Sequence, residues 1–199
     1  MKTHFFLFCI LFSPAVSTAA SLVINWSMVP SDGRQLTNRT TSPLSAGTAI
    51  AGDGTLLELG YYSMASISNP FAGSWMVLST SSIGDNGIEV AGRFSTSSVL
   101  GDAAFPGLTT STPFSIRFYD GTSVANSTYF NAVSNVSGAW NYITPNDPAP
   151  ILNLAIAKEV STVFQGTGDF RTVIPIPEPS HMILVMLGGV VALSRRRRE

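Results

Sequence analysis

The chain has 199 residues, 45% of them apolar and only 12% charged, which is material for one folded domain with short appendages. Eleven basic residues against twelve acidic ones leave a net charge of -1. These figures argue against intrinsic disorder and against a nucleic-acid partner, because neither a depleted core nor a general positive field is present.

At the N-terminus Lys2 precedes an apolar run at 5–12 (FFLFCILF) and a small-residue stretch at 13–20 (SPAVSTAA). That layout is a secretory signal peptide, with Ser17 and Ala19 at the positions a signal peptidase reads. A membrane anchor would need about 20 apolar residues, and the run holds eight. Residues 1–19 are therefore assigned to the signal peptide, and the mature chain is expected to begin at Ala20 or Ser21. The only cysteine, Cys9, and His4 leave with it, while the other histidine, His181, sits in the C-terminal tail. The domain at 20–174 thus has neither Cys nor His, and core burial with hydrogen bonding has to hold it together.

Along that domain, short strand-type segments recur at 22–29, 55–62, 74–80, 87–94, 113–119 and 151–157. In the first, Leu22, Ile24, Trp26 and Met28 alternate with partners of the opposite face, a period of two. The Asp-Gly pairs at Asp32, Asp53 and Asp120, and Asp85-Asn86-Gly87, read as turns between strands. Only 124–133 and 157–164 could hold a helix, and the proline-rich stretch at 145–150 reads as an ordered loop before the strand at Ile151. The expected fold is all-β, a single β-sandwich or jelly-roll-like domain.

After the domain comes PIPEPS at 175–180, then an apolar stretch, MILVMLGGVVAL, at 182–193, and Arg195, Arg196, Arg197 and Arg198. Twelve apolar residues reach about 18 Å as a helix, and snorkelling arginines and the flanking polar residues extend that toward the roughly 30 Å hydrocarbon core. The basic cluster keeps its side cytoplasmic, so the chain reads as a single C-terminal transmembrane helix over 181–194 with a basic stop at 195–198.

Pro177, Glu178, Pro179 and Ser180, the short apolar helix and the terminal arginines together resemble the PEP-CTERM sorting signal of Gram-negative bacteria, covering 175–199. The resemblance implies a membrane-embedded exosortase as partner, after the general secretion machinery and signal peptidase. It implies an inner-membrane intermediate and delivery to the cell surface or extracellular matrix. It carries no activity for the domain between the two signals.

With no Cys or His in that domain, triad hydrolysis, cysteine-based nucleophiles and His-bound zinc are set aside. Carboxylate chemistry stays open. Glu58 and Glu89 lie within expected strands, where a glycosidase pair would project, although an outward-facing acid is the simpler account of each. Oxygen ligands for calcium are available at Asp32, Asp53, Asp85, Asn86 and Asp120, positions that turn geometry explains equally. Trp140 and Tyr142 form the best aromatic cluster for contact with extracellular polysaccharide, with core burial as the alternative; Trp26 and Trp75 are expected in the core. The expectation is a non-enzymatic exported surface or matrix protein without a catalytic residue, resident metal or cofactor, and the alternative is a carbohydrate-binding module or carboxylate-dependent glycosidase.

Overall fold

The computed structural model describes residues 20–28, 34–48, 53–84, 90–156 and 161–176. The segments expected from sequence as a signal peptide at 1–19 and, from Pro177 onward, as the rest of a sorting signal with its 181–194 helix and four arginines lie outside them, as do Asp32, Asp85, Asn86 and Glu89. Among the described residues no helix is long and apolar enough to cross a membrane.

The described chain is all-β, with nine strands in two sheets. Strand β1 (Ser21–Met28) alternates as the sequence requires, with Leu22, Ile24, Trp26 and Met28 fully buried. It lies between β4 (Phe94–Gly101), antiparallel to it, and β7 (Ile151–Ala155), parallel to it, in a three-stranded sheet. The proline-rich loop ahead of β7 is ordered, exchanging backbone hydrogen bonds with Ser21 through Asn146.

The second sheet runs in the order β3 (Trp75–Ser82), β2 (Leu56–Tyr62), β5 (Ser115–Tyr119), β6 (Tyr129–Asn135) and β8 (Thr162–Phe164). The two-residue β9 (Ile174–Pro175) pairs with the start of β6. Leu57, Leu59 and Tyr61 of β2, Ile116 and Phe118 of β5 and Val133 of β6 join one core cluster with the buried residues of β1, β4 and β7. Where the sheets meet, Trp26 Nε1 donates to Ser98 Oγ at 3.1 Å, and that hydroxyl donates to Ser79 Oγ of β3 at 2.8 Å.

Three expectations from the sequence are corrected. Of the strand expected at 87–94, residues 87–89 lie outside the described residues, 90–93 form no strand and Phe94 opens β4; Gly92, at φ 71°, sits in a turn where its N–H donates to the Leu44 carbonyl and its own carbonyl accepts from the Leu36 N–H. A side chain at that φ would be strained, so the segment ends as a turn and the strand starts after it. The helix considered for 124–133 is limited to a single 3₁₀ turn, Val124–Asn126, followed by β6. Asp120 Oδ1 accepts the N–H groups of Thr128 and Tyr129 at 2.8 and 3.0 Å, taking donors a continuing helix would have needed. In the other helix candidate, Thr162, Val163 and Phe164 form β8 against β6, as β-branched and aromatic residues prefer; the part at 157–160 lies outside the described residues.

Candidate functional site

A polar and aromatic constellation lies on the outward face of the larger sheet. Alternation along β2 sends Leu57, Leu59 and Tyr61 inward, and therefore Glu58, Gly60 and Tyr62 outward. On β5 the same rule places Ile116 and Phe118 inside and Arg117 and Tyr119 outside. Glu58 is paired in register with Arg117, and Tyr62 with Trp75 at the start of β3.

Glu58 is only 6% exposed. Its Oε2 accepts two hydrogen bonds, from Trp75 Nε1 at 2.8 Å and from the Tyr119 hydroxyl at 2.6 Å. Gly60 makes the first of these possible. The Trp75 indole crosses the strand directly over it, so that a Cβ there would lie 2.8 Å from Trp75 Cζ2 and 2.2 Å from the Met76 carbonyl oxygen. A register shift between Leu59 and Gly60 marks the same place in the β2–β3 ladder.

Arg117 is held differently. Its Nε and Nη2 donate to the Tyr62 hydroxyl at 3.1 and 3.0 Å, and that hydroxyl donates onward to Gln165 Oε1 at 2.6 Å. The guanidinium carbon stands 4.4 Å from the ring centre of Trp75, 4.7 Å from that of Phe130 and 5.0 Å from that of Tyr62. A cation surrounded by three rings is well stabilised at a half-buried site. Burial drives the Tyr119 hydroxyl far above its ordinary range, and the Glu58 hydrogen bond and charge push it further, with Arg117 opposing. Tyr62 is raised by burial against the opposing effect of Arg117. Both hydroxyls are therefore neutral donors at physiological pH.

This arrangement fixes Glu58 as an acceptor. The other described carboxylates, Asp53, Asp102, Asp120, Asp147 and Asp169, all lie outside strands. Asp53 Oδ1 accepts the Thr48 N–H at 2.7 Å and Asp120 clamps Thr128 and Tyr129, so these two calcium candidates act as turn locks. Among the described residues no three His, Cys, Asp or Glu side chains come together.

Trp140 and Tyr142 are placed by the structure in the core, 3% and 8% exposed. Tyr142 packs 5.3 Å from Phe105 and 6.4 Å from Phe114, measured between ring centres. Such burial leaves their faces to protein contacts, and Tyr142 adds only an edge to an open cleft of about 440 Å³ shared with Thr110, Asn141 and Thr144. Trp26 is in the core as expected. Trp75 is not: it is half-buried on the outward face, where its N–H reaches a carboxylate.

Comparison of the chain with protein-family models, with curated proteins and with solved structures finds no match.

Proposed function

We propose that this chain is an exported, non-enzymatic cell-surface or extracellular-matrix protein of a Gram-negative bacterium, a β-sandwich or jelly-roll-like domain carried between a signal peptide and a PEP-CTERM sorting tail. Signal peptidase and the general secretion machinery act on residues 1–19, and the 181–194 helix holds an inner-membrane intermediate. An exosortase then reads Pro177, Glu178, Pro179 and Ser180. The basic stop at Arg195, Arg196, Arg197 and Arg198 fixes the orientation.

The observation that carries the non-enzymatic part is the commitment of Glu58. Its Oε2 takes two hydrogen bonds from Trp75 and Tyr119, and it is the one described acid within a strand. A glycosidase pair needs a second carboxylate roughly 5 to 9.5 Å away; Asp53 and Asp120, the acids nearest in sequence to β2 and β5, are engaged in closing turns.

Replacing Pro177, Glu178 and Pro179 by alanine tests the sorting part, because it removes the extended, helix-resistant segment and leaves the apolar helix intact. The precursor then accumulates in the inner membrane and the surface fraction is depleted. Normal surface yield with unchanged mature mass would overturn the sorting assignment and leave 182–193 as a plain anchor.

A further inference from the structure

We propose that an open cleft between the loop carrying Arg34 to Thr41 and the segment Asp169–Phe170–Arg171 binds the oxyanion groups, carboxylate or sulfate, of an acidic polysaccharide. The choice of a polysaccharide as their source rests on the exported-surface reading above.

The cleft measures about 360 Å³. Backbone hydrogen bonds from Thr37 N to Phe170 O at 2.9 Å and from Thr172 N to Thr37 O at 3.0 Å join its two walls, so the cleft keeps its shape without a ligand. Its lining includes the guanidinium of Arg171, the Gln35 amide and the Thr37 hydroxyl as donors, while the Thr41 hydroxyl donates to the Thr40 carbonyl and Arg34 has a partner of its own. Arg34 is laid over the Phe170 ring, 5.5 Å from its centre, and Phe170 is itself anchored in the core against Phe164.

Among the described residues, the one acid that lines the cleft, Asp169, already has a donor on each oxygen. Asp169 Oδ1 accepts the Phe170 N–H at 2.7 Å, and Oδ2 accepts Arg171 Nε at 3.0 Å. Arg171 spends its Nε on that bond, and its two Nη groups have no protein acceptor among the described residues. The Arg171 and Asp169 side chains are 36% and 43% exposed, so a ligand can reach the fork. An ion pair this open is weak in water, and an incoming oxyanion competes with it at little cost.

A second feature points to the same rim. Thr41 adopts φ 69°, the only positive φ outside glycine among the described residues. For a β-branched side chain this is a strained conformation, of the kind retained where a local geometry is needed. Asn38 enforces it, its Oδ1 accepting from the N–H groups of Thr40 and Ser42 at 3.0 Å each. The strained residue lines the cleft into which the Arg171 fork opens, a combination suited to gripping an oxyanion while the Gln35 amide and the Thr37 hydroxyl meet the surrounding sugar hydroxyls.

The test is affinity electrophoresis of the purified full chain in gels containing polygalacturonate, dextran sulfate or neutral dextran. The expected result is retardation by one or both charged polymers, weakened by added salt, and none by dextran; the stronger of the two identifies carboxylate or sulfate as the preferred group. Arg171→Gln is expected to lose affinity about tenfold or more, the equivalent of one charge-assisted contact. Arg171→Lys, which keeps the charge and loses the fork, loses part of it. Arg39→Gln, which removes the same charge from the loop outside the cleft, leaves binding unchanged. Equal retardation by dextran, no retardation by any polymer, or equal losses in the Arg171 and Arg39 variants would overturn the proposal. Fractionation separates this from the sorting question: a surface-located chain that binds none of these polymers contradicts the cleft alone, and an unexported chain that binds them through Arg171 contradicts the export reading alone.

Discussion

Glu58 and Arg117 stand opposite each other on neighbouring strands and yet make their hydrogen bonds with aromatic side chains, Glu58 accepting from Trp75 and Tyr119 and Arg117 donating to the Tyr62 hydroxyl. The opposed charges set a favourable field, while the aromatic partners, Trp75 and Tyr119 as donors and Tyr62 as acceptor, fix the geometry. The cluster thereby links β2, β3 and β5 on the sheet face away from the core.

Removing the carboxylate leaves the Trp75 N–H and the Tyr119 hydroxyl without their acceptor and Arg117 without its opposed charge. Glu58→Ala is expected to cost about 2–4 kcal/mol, since charge-assisted hydrogen bonds are lost and buried donors stay unsatisfied. Urea denaturation of the variant against the parent chain measures it; a loss below about 0.5 kcal/mol, typical of a surface position, would show the cluster to be incidental.

Tyr119 also sets an alkaline dependence. Its hydroxyl ionises well above the ordinary value of 10.0 in the folded protein, so above that pH the unfolded chain releases a proton that the folded chain retains. Stability from this group is complete below about pH 10 and is lost as the pH rises further. Thermal melting across that range is expected to fall more steeply for the parent chain than for Tyr119→Phe. Parallel slopes would contradict the assignment.

Gly60 gives a steric prediction. A methyl group there would meet the Met76 carbonyl at 2.2 Å and the Trp75 ring at 2.8 Å, and backbone cannot move aside as a side chain can. Gly60→Ala is expected to destabilise by about 2–3 kcal/mol and to shift the tryptophan emission as the indole is displaced from Glu58.

Much of the architecture was legible in the residues. The period of two in β1 and the apolar alternation at Leu57, Leu59 and Tyr61 report a face against a core, and that information is local. Alternation also shows that Glu58, Arg117 and Tyr119 point the other way. It does not show which strands become neighbours, so the meeting of Trp75 with Glu58, seventeen positions apart across a hairpin with a register shift, could not be read. Strand β6 was hidden for a related reason: Tyr129 to Asn135 carries polar residues facing inward, with Asn131 fully buried and bonded to the backbone of Asp169, Arg171 and Gly166. A buried asparagine satisfied by a distant loop looks like a surface residue in sequence.

Trp140 illustrates the same limit from the apolar side, since an aromatic beside a proline-rich loop reads equally as a ligand platform or as core. Its burial at 3% decides for the core. Trp140→Ala is expected to cost about 3–5 kcal/mol, measured by chemical denaturation. A stable Trp140→Ala variant would return that residue to the surface.

Thr41 offers a stabilising change. Thr41→Gly removes the penalty of φ 69°, worth about 1–2 kcal/mol for a side chain in that region, against a smaller entropic cost of glycine in the unfolded chain. A modest rise in melting temperature is expected, and a fall would show that the loop does not hold Thr41 in this conformation.

The most direct test of the central claim is the intact mass and N-terminal sequence of the protein recovered from the cell surface or medium. The account predicts a chain that begins at Ala20 or Ser21 and lacks Arg195, Arg196, Arg197 and Arg198. A surface protein that begins at Met1, or one that carries the complete C-terminus through Glu199, would contradict it.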